Sequence, residues 1–311
     1  MSFSRRQAAL ALFAAGATAL PASQALAVQV EMPDEDGPRT NLDTTEDSND
    51  HMLAPVGING QGPFNFLLDT GANSSVVSHK LAEKLMLAAG PPAMVHTVVG
   101  VRQRPCVMLD RLTVGSRQRR NVRAASLPIR GPEIDGVLGV DWLKGQRLVL
   151  DFKGQKLEIT KSKEDEPEPG HVVVVPARRR NGQLTIVDAD LSGKRISAII
   201  DSGAETTLCN GALRKLVRDM ERVRGFRDEP RTIHMESLAG EAFTGESVFI
   251  PFLRLGGLHL GNVEVAWADA HVFDIWGLKT SPALVIGMDL LKQFNQVSLD
   301  FGRSAVRFDF V

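Results

Sequence analysis

Residues 66–72 read Phe-Leu-Leu-Asp-Thr-Gly-Ala, and residues 198–204 read Ala-Ile-Ile-Asp-Ser-Gly-Ala. In each stretch an apolar run ends in an aspartate, followed by a small hydroxyl residue, a glycine and an alanine. A single Asp-Ser/Thr-Gly triplet is expected by chance about 0.2 times in a chain of this length. Two copies with matching flanks supply two carboxylates, Asp69 and Asp201, that a folded chain can bring face to face. A pair of aspartates that shares one proton requires this arrangement.

A second motif is also present twice and in the same order. Residues 137–143 (Val-Leu-Gly-Val-Asp-Trp-Leu) correspond to residues 285–291 (Val-Ile-Gly-Met-Asp-Leu-Leu). The triplets are 132 residues apart and the second motifs 148, so the second half carries a net insertion of 16 residues. A repeat of this length indicates a duplicated lobe rather than a solenoid unit.

The first 27 residues have the features of an export signal. Ser4-Arg5-Arg6 precedes a modest apolar run, and Ala25-Leu26-Ala27 places small residues where a signal peptidase cleaves. The apolar run is too short and too alanine-rich for a membrane span. The paired arginines favour the twin-arginine route to the bacterial periplasm, with an ordinary Sec signal as the alternative.

The rest of the chain divides by composition. Residues 28–52 are acidic and poor in large apolar residues, which predicts a disordered tail. Residues 53–160 form a predicted lobe 1 and residues 171–311 a predicted lobe 2. The charged, proline-broken stretch 161–170 is the expected linker between them. The mature chain contains no predicted transmembrane segment.

Composition excludes several functions. The net charge is −1 and aromatic residues make up 5% of the chain, without any tyrosine, so nucleic acid is not an expected partner. The seven histidines have no metal-ligand spacing. We therefore predict neither a metal nor a cofactor.

Short apolar runs separated by turn residues predict an all-β fold with few helices. Asn59-Gly60 lies between two such runs and predicts a hairpin turn. A helical pattern follows each triplet, at residues 79–89 and 211–223.

Taken together, these motifs resemble those of the retropepsin-like aspartic peptidases, a branch of the pepsin clan. The resemblance covers residues 53–311 and rests on the two Asp-Ser/Thr-Gly-Ala loops and the two apolar-Gly-x-Asp motifs. It implies two tandem β-barrel lobes with short helices, related by a pseudo-twofold axis. It also implies hydrolysis of peptide bonds in a polypeptide substrate, with Asp69 and Asp201 as the catalytic residues. Because both lobes lie on one chain, a monomer would carry a complete site.

The chemistry of two adjacent carboxylates agrees with this function. Two carboxylates about 3 Å apart repel each other by about 5 kcal/mol at an effective dielectric near 20, so they share one proton. The ionised member takes a proton from a bound water, while the protonated member donates to the scissile carbonyl oxygen. This reaction needs neither a covalent intermediate nor a metal.

The residues beside the aspartates have predicted supporting roles. A Cβ at Gly71 or Gly203 would hold the carboxylates apart. The resemblance suggests that Thr70 and Ser202 form hydrogen bonds across the lobe interface. The aspartates of the second motif, Asp141 and Asp289, are expected to act as structural supports.

Such an enzyme also needs flaps that cover the substrate and exclude water. The candidates are a hairpin around Gly100 and a turn around Gly240. No tyrosine is present to form a flap of the pepsin type.

Two alternatives remain open from the sequence. The same cleft would serve a non-catalytic module that binds peptides or envelope proteins, with the aspartates too far apart or blocked by the flaps. The other alternative is an enzyme that becomes active only after dimerisation or removal of the tail.

Overall fold

The computed structural model describes residues 39–47, 51–131, 133–143, 145–163, 172–180, 183–224 and 230–310. The predicted export signal, the first part of the acidic tail and most of the predicted linker lie outside these residues. Within them, no helix is both long and apolar enough to span a membrane.

Strands dominate both halves of the chain. Those of the first half are β1 (Thr40–Asp43), β2 (Thr45–Glu46), β3 (Met52–Ile58), β4 (Gln61–Leu68), β5 (Val76–Ser78), β6 (Ala88–His96), β7 (Val101–Val114), β8 (Arg117–Leu127), β9 (Gly136–Leu138), β10 (Gln146–Asp151) and β11 (Lys156–Lys161). Those of the second half are β12 (Val172–Arg180), β13 (Gln183–Leu191), β14 (Lys194–Ile200), β15 (Leu208–Cys209), β16 (Thr232–Glu236), β17 (Ala242–Leu255), β18 (Leu258–Trp267), β19 (Ala283–Ile286), β20 (Gln296–Asp300) and β21 (Ala305–Asp309).

Helices are short and few by comparison. They are α1 (His79–Lys84), a 3₁₀ helix (Val140–Trp142), α2 (Gly211–Arg224), α3 (Val272–Ile275) and α4 (Met288–Leu291). The predicted all-β class with short helices is confirmed.

Each half closes into a six-stranded barrel with the same connectivity. In lobe 1 the order is β3-β4-β9-β5-β8-β7, and β7 pairs back with β3. In lobe 2 the order is β13-β14-β19-β15-β18-β17, and β17 pairs back with β13. The parallel pairs also correspond, because β4–β9 matches β14–β19 and β5–β8 matches β15–β18. The two barrels are the pseudo-twofold related lobes that the duplicated motifs predicted.

A six-stranded antiparallel layer joins the lobes, in the order β1-β11-β10-β20-β21-β12, and it continues into the lobe 2 barrel where β12 pairs with β13. At its centre β10 of lobe 1 pairs with β20 of lobe 2, from Arg147 opposite Asp300 to Asp151 opposite Gln296. One buried apolar cluster runs through both barrels and this layer. Backbone pairing and a shared core therefore set the position of one lobe against the other.

The described part of the predicted disordered tail is ordered, so that prediction was wrong for residues 40–47. Strand β1 forms an edge of the interlobe layer by pairing with β11, and β2 pairs with β3. Acidic composition suggested disorder, but strand pairing satisfies the backbone of this segment, and Thr40 is buried. Lobe 1 therefore includes residues before its predicted start at residue 53.

The predicted helix at residues 79–89 is shorter than expected. Helix α1 ends at Lys84, Met86 adopts a positive φ of 49°, and β6 begins at Ala88. Pairing of β6 with β7 overrides the helix preference of the alanines. The corresponding α2 has 14 residues against 6 in α1, which accounts for part of the insertion in the second half.

The buried ion pair of the interlobe layer provides a stability test. Arg147 Nε lies 3.1 Å from Asp300 Oδ2, and the two side chains are 7% and 3% exposed. Replacing Arg147 with leucine leaves a buried carboxylate uncompensated, so Arg147→Leu should lower the free energy of unfolding by about 3–5 kcal/mol in urea denaturation. The control, Arg39→Leu, breaks the exposed pair with Glu158 in the same layer and should cost less than about 1 kcal/mol. Equal losses in the two variants would contradict the prediction.

Candidate active site

The two Asp-Ser/Thr-Gly loops emerge from equivalent strands of the two barrels. Asp69 follows β4 and Asp201 follows β14, each beside a parallel neighbour. The Asp69 N–H donates to the Leu138 carbonyl at 3.0 Å, and the Asp201 N–H donates to the Ile286 carbonyl at 2.9 Å. The buried apolar strands thus place both aspartates at the interface between the lobes.

Thr70 and Ser202 lock the two loops together through reciprocal hydrogen bonds. The Thr70 N–H donates to Ser202 Oγ at 3.1 Å, and the Ser202 N–H donates to Thr70 Oγ1 at 3.0 Å. Each hydroxyl then donates to the opposite lobe, Thr70 to the Ile200 carbonyl at 2.9 Å and Ser202 to the Leu68 carbonyl at 2.8 Å. Both side chains are buried, so these bonds are shielded from competition by water.

Gly71 and Gly203 permit the close approach of the loops. A Cβ placed on Gly71 would lie 2.4 Å from Asp201 Cγ, and one on Gly203 would lie 2.4 Å from Asp69 Cγ. Any larger residue at either position would push the opposite carboxyl group away. The steric requirement predicted for these glycines is present on both sides.

Backbone N–H groups orient each carboxyl group. Asp69 Oδ1 accepts from the N–H groups of Gly71 at 2.8 Å and Ala72 at 2.9 Å. Asp201 Oδ1 accepts from the Gly203 N–H at 2.9 Å. The two carboxyl groups also hydrogen-bond to each other across the interface.

Burial and mutual contact raise the pKa of both aspartates. For Asp69 burial raises the pKa well above its usual range, and the charge of Asp201 and the hydrogen bond with it act in the same direction. Burial also raises the pKa of Asp201, opposed by the hydrogen bond from Asp69, the Gly203 N–H and the charge of His51. The pair therefore retains a proton at a pH where isolated aspartates are ionised, and its titration belongs to both carboxyl groups together.

The second motif packs against the aspartate loops. A Cβ on Gly139 would lie 2.8 Å from the Ala72 carbonyl oxygen, and one on Gly287 would lie 2.7 Å from the Ala204 carbonyl oxygen. The N–H groups of the next residues, Val140 and Met288, donate to these same two carbonyls. Each second motif thus packs against the aspartate loop of its own lobe.

Asp141 and Asp289 make structural contacts of the expected kind. Asp141 accepts from Ser75 Oγ at 2.9 Å and from Arg119 Nη1 at 2.7 Å. Asp289 accepts from Thr207 Oγ1 at 2.6 Å and from the Thr207 N–H. Both carboxylates therefore brace the segments that follow the two triplets.

A hairpin of lobe 1 reaches onto lobe 2. It joins β6 to β7 through residues 97–100, and Val98 packs on an apolar cluster of lobe 2 that also takes up Ala204. The His271 N–H donates to the Val98 carbonyl at 2.8 Å. The hairpin tip thus lies against the lobe opposite its own.

The equivalent hairpin of lobe 2 reaches onto lobe 1. It joins β16 to β17 through residues 237–241, and Leu238 packs on two apolar clusters of lobe 1, one of which takes up Ala72. The Arg130 N–H donates to the Leu238 carbonyl at 3.1 Å. The two hairpins therefore cross the interface reciprocally, each toward the residue that follows the opposite triplet.

Glu241 ties the two hairpins to each other. Its carboxylate accepts from Thr97 Oγ1 at 2.8 Å, from Arg102 Nε at 2.8 Å and from Arg104 Nη2 at 3.4 Å. The glycines of the two tips differ. Gly240 has a positive φ of 77°, whereas a Cβ on Gly100 would meet nothing within 4 Å.

Sequence reasoning missed Asp47 and His51, because both fall in the segment that was predicted to be disordered. His51 is buried, and its Nδ1 lies 3.0 Å from Asp47 Oδ2. Its charge acts on Asp201. The one sequence feature that could have pointed to Asp47 and His51 is their position just before the apolar residues of β3.

Among the described residues, no group of three or more acidic, histidine or cysteine side chains is arranged to hold a metal ion. The described residues bring two carboxyl groups and backbone N–H donors to the interface.

Comparison with known proteins agrees with this architecture. No curated protein matched the chain. A family model described as aspartyl protease matches residues 54–142 and 187–290, one segment in each lobe. Each segment contains one triplet and one apolar-Gly-x-Asp motif. The matched segments together cover more than half of the chain, and the protein belongs to this aspartyl protease family.

Proposed function

We propose that the protein is an aspartic endopeptidase that hydrolyses peptide bonds with one carboxyl group from each lobe. The observation that carries the proposal is the close approach of Asp69 and Asp201 at the lobe interface, where a Cβ on Gly71 or Gly203 would lie 2.4 Å from the Cγ of the opposite aspartate. One chain supplies both groups, so the proposal requires no second copy.

In the proposed first step, water is added to the peptide carbonyl. Asp201, the ionised member, takes a proton from a water between the carboxyl groups while the water oxygen bonds to the carbonyl carbon. Asp69 gives its proton to the carbonyl oxygen, so the product is a neutral diol. We assign the starting proton to Asp69 because the charge of Asp201 and the hydrogen bond with it add to burial in raising the pKa of Asp69.

The second step restores the pair. Asp69 takes a proton from one diol hydroxyl as the carbonyl re-forms, and the carbon–nitrogen bond breaks. Asp201 gives its proton to the leaving nitrogen, so a carboxylic acid and an amine are released. Asp69 is then protonated and Asp201 ionised, as at the start.

The two hairpins are proposed to act as flaps. Val98 and Leu238 lie on the opposite lobes, and Glu241 links the hairpins when no substrate is present. A polypeptide would have to break these contacts in order to enter, and the two hairpins would cover it afterwards.

Acidic pH should loosen one of these contacts. His96 stacks on His271 with ring centroids 5.4 Å apart. Burial and the charge of His271 lower the pKa of His96. Protonation of His96 therefore costs more in the folded protein than in the unfolded chain. The free energy of unfolding falls as pH drops below about 6.5, where a histidine in the unfolded chain becomes protonated.

A non-catalytic binding module is the second candidate. One version, with the aspartates too far apart, disagrees with their hydrogen bond. The other version, a cleft blocked by the flaps, is favoured by the bridge from Glu241 to the first hairpin. Export to the periplasm remains a proposal from residues 1–27 alone.

The first test measures cleavage of an unfolded protein between pH 3 and 8. Asp69→Asn and Asp201→Asn should each lose at least about 100-fold in kcat/KM, because each removes one half of the acid–base pair. The control, Asp219→Asn, changes an exposed carboxylate on α2 that pairs with Arg222 and should retain full activity. Loss in only one aspartate variant, or no cleavage by the wild type, would contradict the proposal.

Folding of the two variants is checked at pH 7. The folded protein retains a proton on the aspartate pair that the unfolded chain releases above about pH 4. The free energy of unfolding therefore falls as pH rises from about 4 toward the raised pKa of the pair. An asparagine at either position leaves one carboxyl group without a like-charged neighbour, so this loss of stability is removed. Both variants should therefore be at least as stable as the wild type.

A second test addresses the flaps. Glu241→Gln removes the charge that bridges the hairpins, so it should raise kcat/KM for a polypeptide by at least roughly twofold, the lower end expected because Arg102 is exposed although Glu241 is largely buried. Amide hydrogen exchange in residues 96–102 should accelerate as well. Glu264→Gln, which breaks a pair with Arg231 inside lobe 2, is the matched control. Slower cleavage with unchanged exchange would contradict the role of the bridge.

A further inference from the structure

Lobe 2 has a cavity of about 360 Å³ between strand β18 and the region of helix α4. Strand β18 contributes residues 259–264 to its lining, and the region of α4 contributes Asp289, Leu290 and Gln293. The cavity is open to solvent. At about 30 Å³ of liquid volume per water, it has room for about twelve water molecules, which is more than the number of non-hydrogen atoms in an arginine side chain.

The duplicated fold identifies the lobe 1 residue that corresponds to Leu260 of this cavity. Strand β8 of lobe 1 contains Asn121 with a positive φ of 53°, and strand β18 of lobe 2 contains Asn262 with a positive φ of 55°. Arg119 lies two residues before the first asparagine, and Leu260 lies two residues before the second. The parallel pairs β5–β8 and β15–β18 give the same alignment. Leu260 therefore occupies the position that Arg119 holds in lobe 1.

In lobe 1 this arginine covers the aspartate of the second motif. Arg119 Nη1 donates to Asp141 Oδ2 at 2.7 Å and to the Asp141 carbonyl at 3.4 Å. The guanidinium group also lies over the Trp142 ring, 5.7 Å from its centroid. The Arg119 side chain is only 12% exposed. A guanidinium group, a carboxylate and an apolar side chain therefore form one packed unit.

Lobe 2 retains two members of this unit and lacks the third. The repeated second motif makes Asp289 the counterpart of Asp141 and Leu290 the counterpart of Trp142. The side chain of Leu260 carries no charge and donates no hydrogen bond. The cavity is lined by the counterparts of all three lobe 1 residues, so it lies where lobe 1 holds a guanidinium group.

The Asp289 carboxylate has no cationic partner in the part of the chain that the structure describes. It accepts hydrogen bonds from the N–H and the hydroxyl of Thr207 and from the Leu290 N–H, all within its own lobe. The Gln293 side chain donates to the Asp289 carbonyl at 3.2 Å, which corresponds to the longer of the two bonds in lobe 1. The charged contact of the lobe 1 unit therefore has no replacement in lobe 2.

The charges around the cavity favour a positive group. Glu264 lines the cavity on the β18 side, and its partner, Arg231, is 74% exposed. Desolvation raises the pKa of Asp289, and the charge of Glu205 acts in the same direction. A cation bound at Asp289 would offset both effects, because an opposite charge nearby favours the ionised carboxylate.

The edge of β18 beside the cavity offers backbone groups to a polypeptide. Strand β15 pairs with β18 only at Ala266 and Trp267. Within the described residues, the stretch 259–264 therefore has β17 as its one strand partner. An extended segment could pair with the other edge while one of its side chains enters the cavity.

We propose that this cavity binds an arginine side chain of a second polypeptide, whose guanidinium group takes the place against Asp289 that Arg119 holds against Asp141 in lobe 1. The planar guanidinium group can donate two parallel hydrogen bonds to a carboxylate. Its weakly hydrated faces and apolar stem would pack on Leu260 and Leu290. A lysine ammonium group has the charge but not the planar geometry. Because the aspartate pair takes no part in this site, binding can be measured without any cleavage of peptide bonds.

The test is a titration of the ¹⁵N-labelled protein with a capped Gly-Arg-Gly peptide, followed by NMR. The amide signals of Leu260, Asp289 and Leu290 should shift and reach saturation. A Gly-citrulline-Gly peptide, which has nearly the same shape without the charge, should bind at least about tenfold more weakly. A Gly-Lys-Gly peptide should also bind more weakly than the arginine peptide. No shifts around the cavity, or equal binding of the arginine and citrulline peptides, would overturn the proposal.

Two variants locate the binding site. Leu260→Arg introduces the lobe 1 arrangement, so its guanidinium group should pair with Asp289, occupy the cavity and weaken binding of the arginine peptide by at least about tenfold. Asp289→Asn removes the charge but retains an oxygen that can accept from the Thr207 hydroxyl. It should weaken binding to a similar extent, because a hydrogen bond to a charged group is lost.

The matched control is Asp219→Asn, which removes an exposed carboxylate on α2 outside the cavity and should bind the arginine peptide like the wild type. Unchanged binding in either Leu260→Arg or Asp289→Asn would overturn the proposal. If a variant does not fold, the comparison of the arginine and citrulline peptides on the wild type still decides the outcome. Loss of peptide-bond cleavage in the wild type would contradict the proposed function alone, since the cavity does not depend on it.

Discussion

Two buried loops meet where the barrels touch, and the position of every other active-site group depends on that contact. Thr70 and Ser202 exchange hydrogen bonds with the opposite loop, while Gly71 and Gly203 leave no side chain between the carboxyl groups. The resulting contact forces Asp69 and Asp201 into a shared, poorly solvated site. Burial is the largest cause of the raised pKa of both aspartates, and the charge of Asp201 raises the pKa of Asp69 further.

The duplicated architecture is symmetric in its backbone and asymmetric in its charges. Both barrels have the same strand order, and both hairpins lie on the opposite lobe. The asymmetry comes from single residues: Glu241 bridges the hairpins from the lobe 2 side, and His51 stands where lobe 2 has Gln183. A reaction that needs one acid and one base benefits from such a difference, because two identical environments do not distinguish the two roles.

Much of this arrangement was predictable from local patterns. The duplicated Asp-Ser/Thr-Gly loops predicted the meeting of the aspartates, because two copies with matching flanks supply one carboxyl group from each lobe and their glycines permit a close approach. Two features were not predictable in this way. Composition suggested disorder for residues 40–47, because the partner strand β11 is more than 100 residues away. The position of His51 depends on the pairing of β2 with β3 and of β3 with β4, which no local motif encodes.

The central claim is that Asp69 and Asp201 form one proton-sharing unit. The most direct measurement is a potentiometric titration between pH 2 and 9 of the wild type, from which the curve of the Asp69→Asn/Asp201→Asn double variant is subtracted. The account predicts that the two protons are released in separate steps, the last at a pH well above the ordinary aspartate value of about 3.9. Release of both protons in a single step near pH 4 would contradict it.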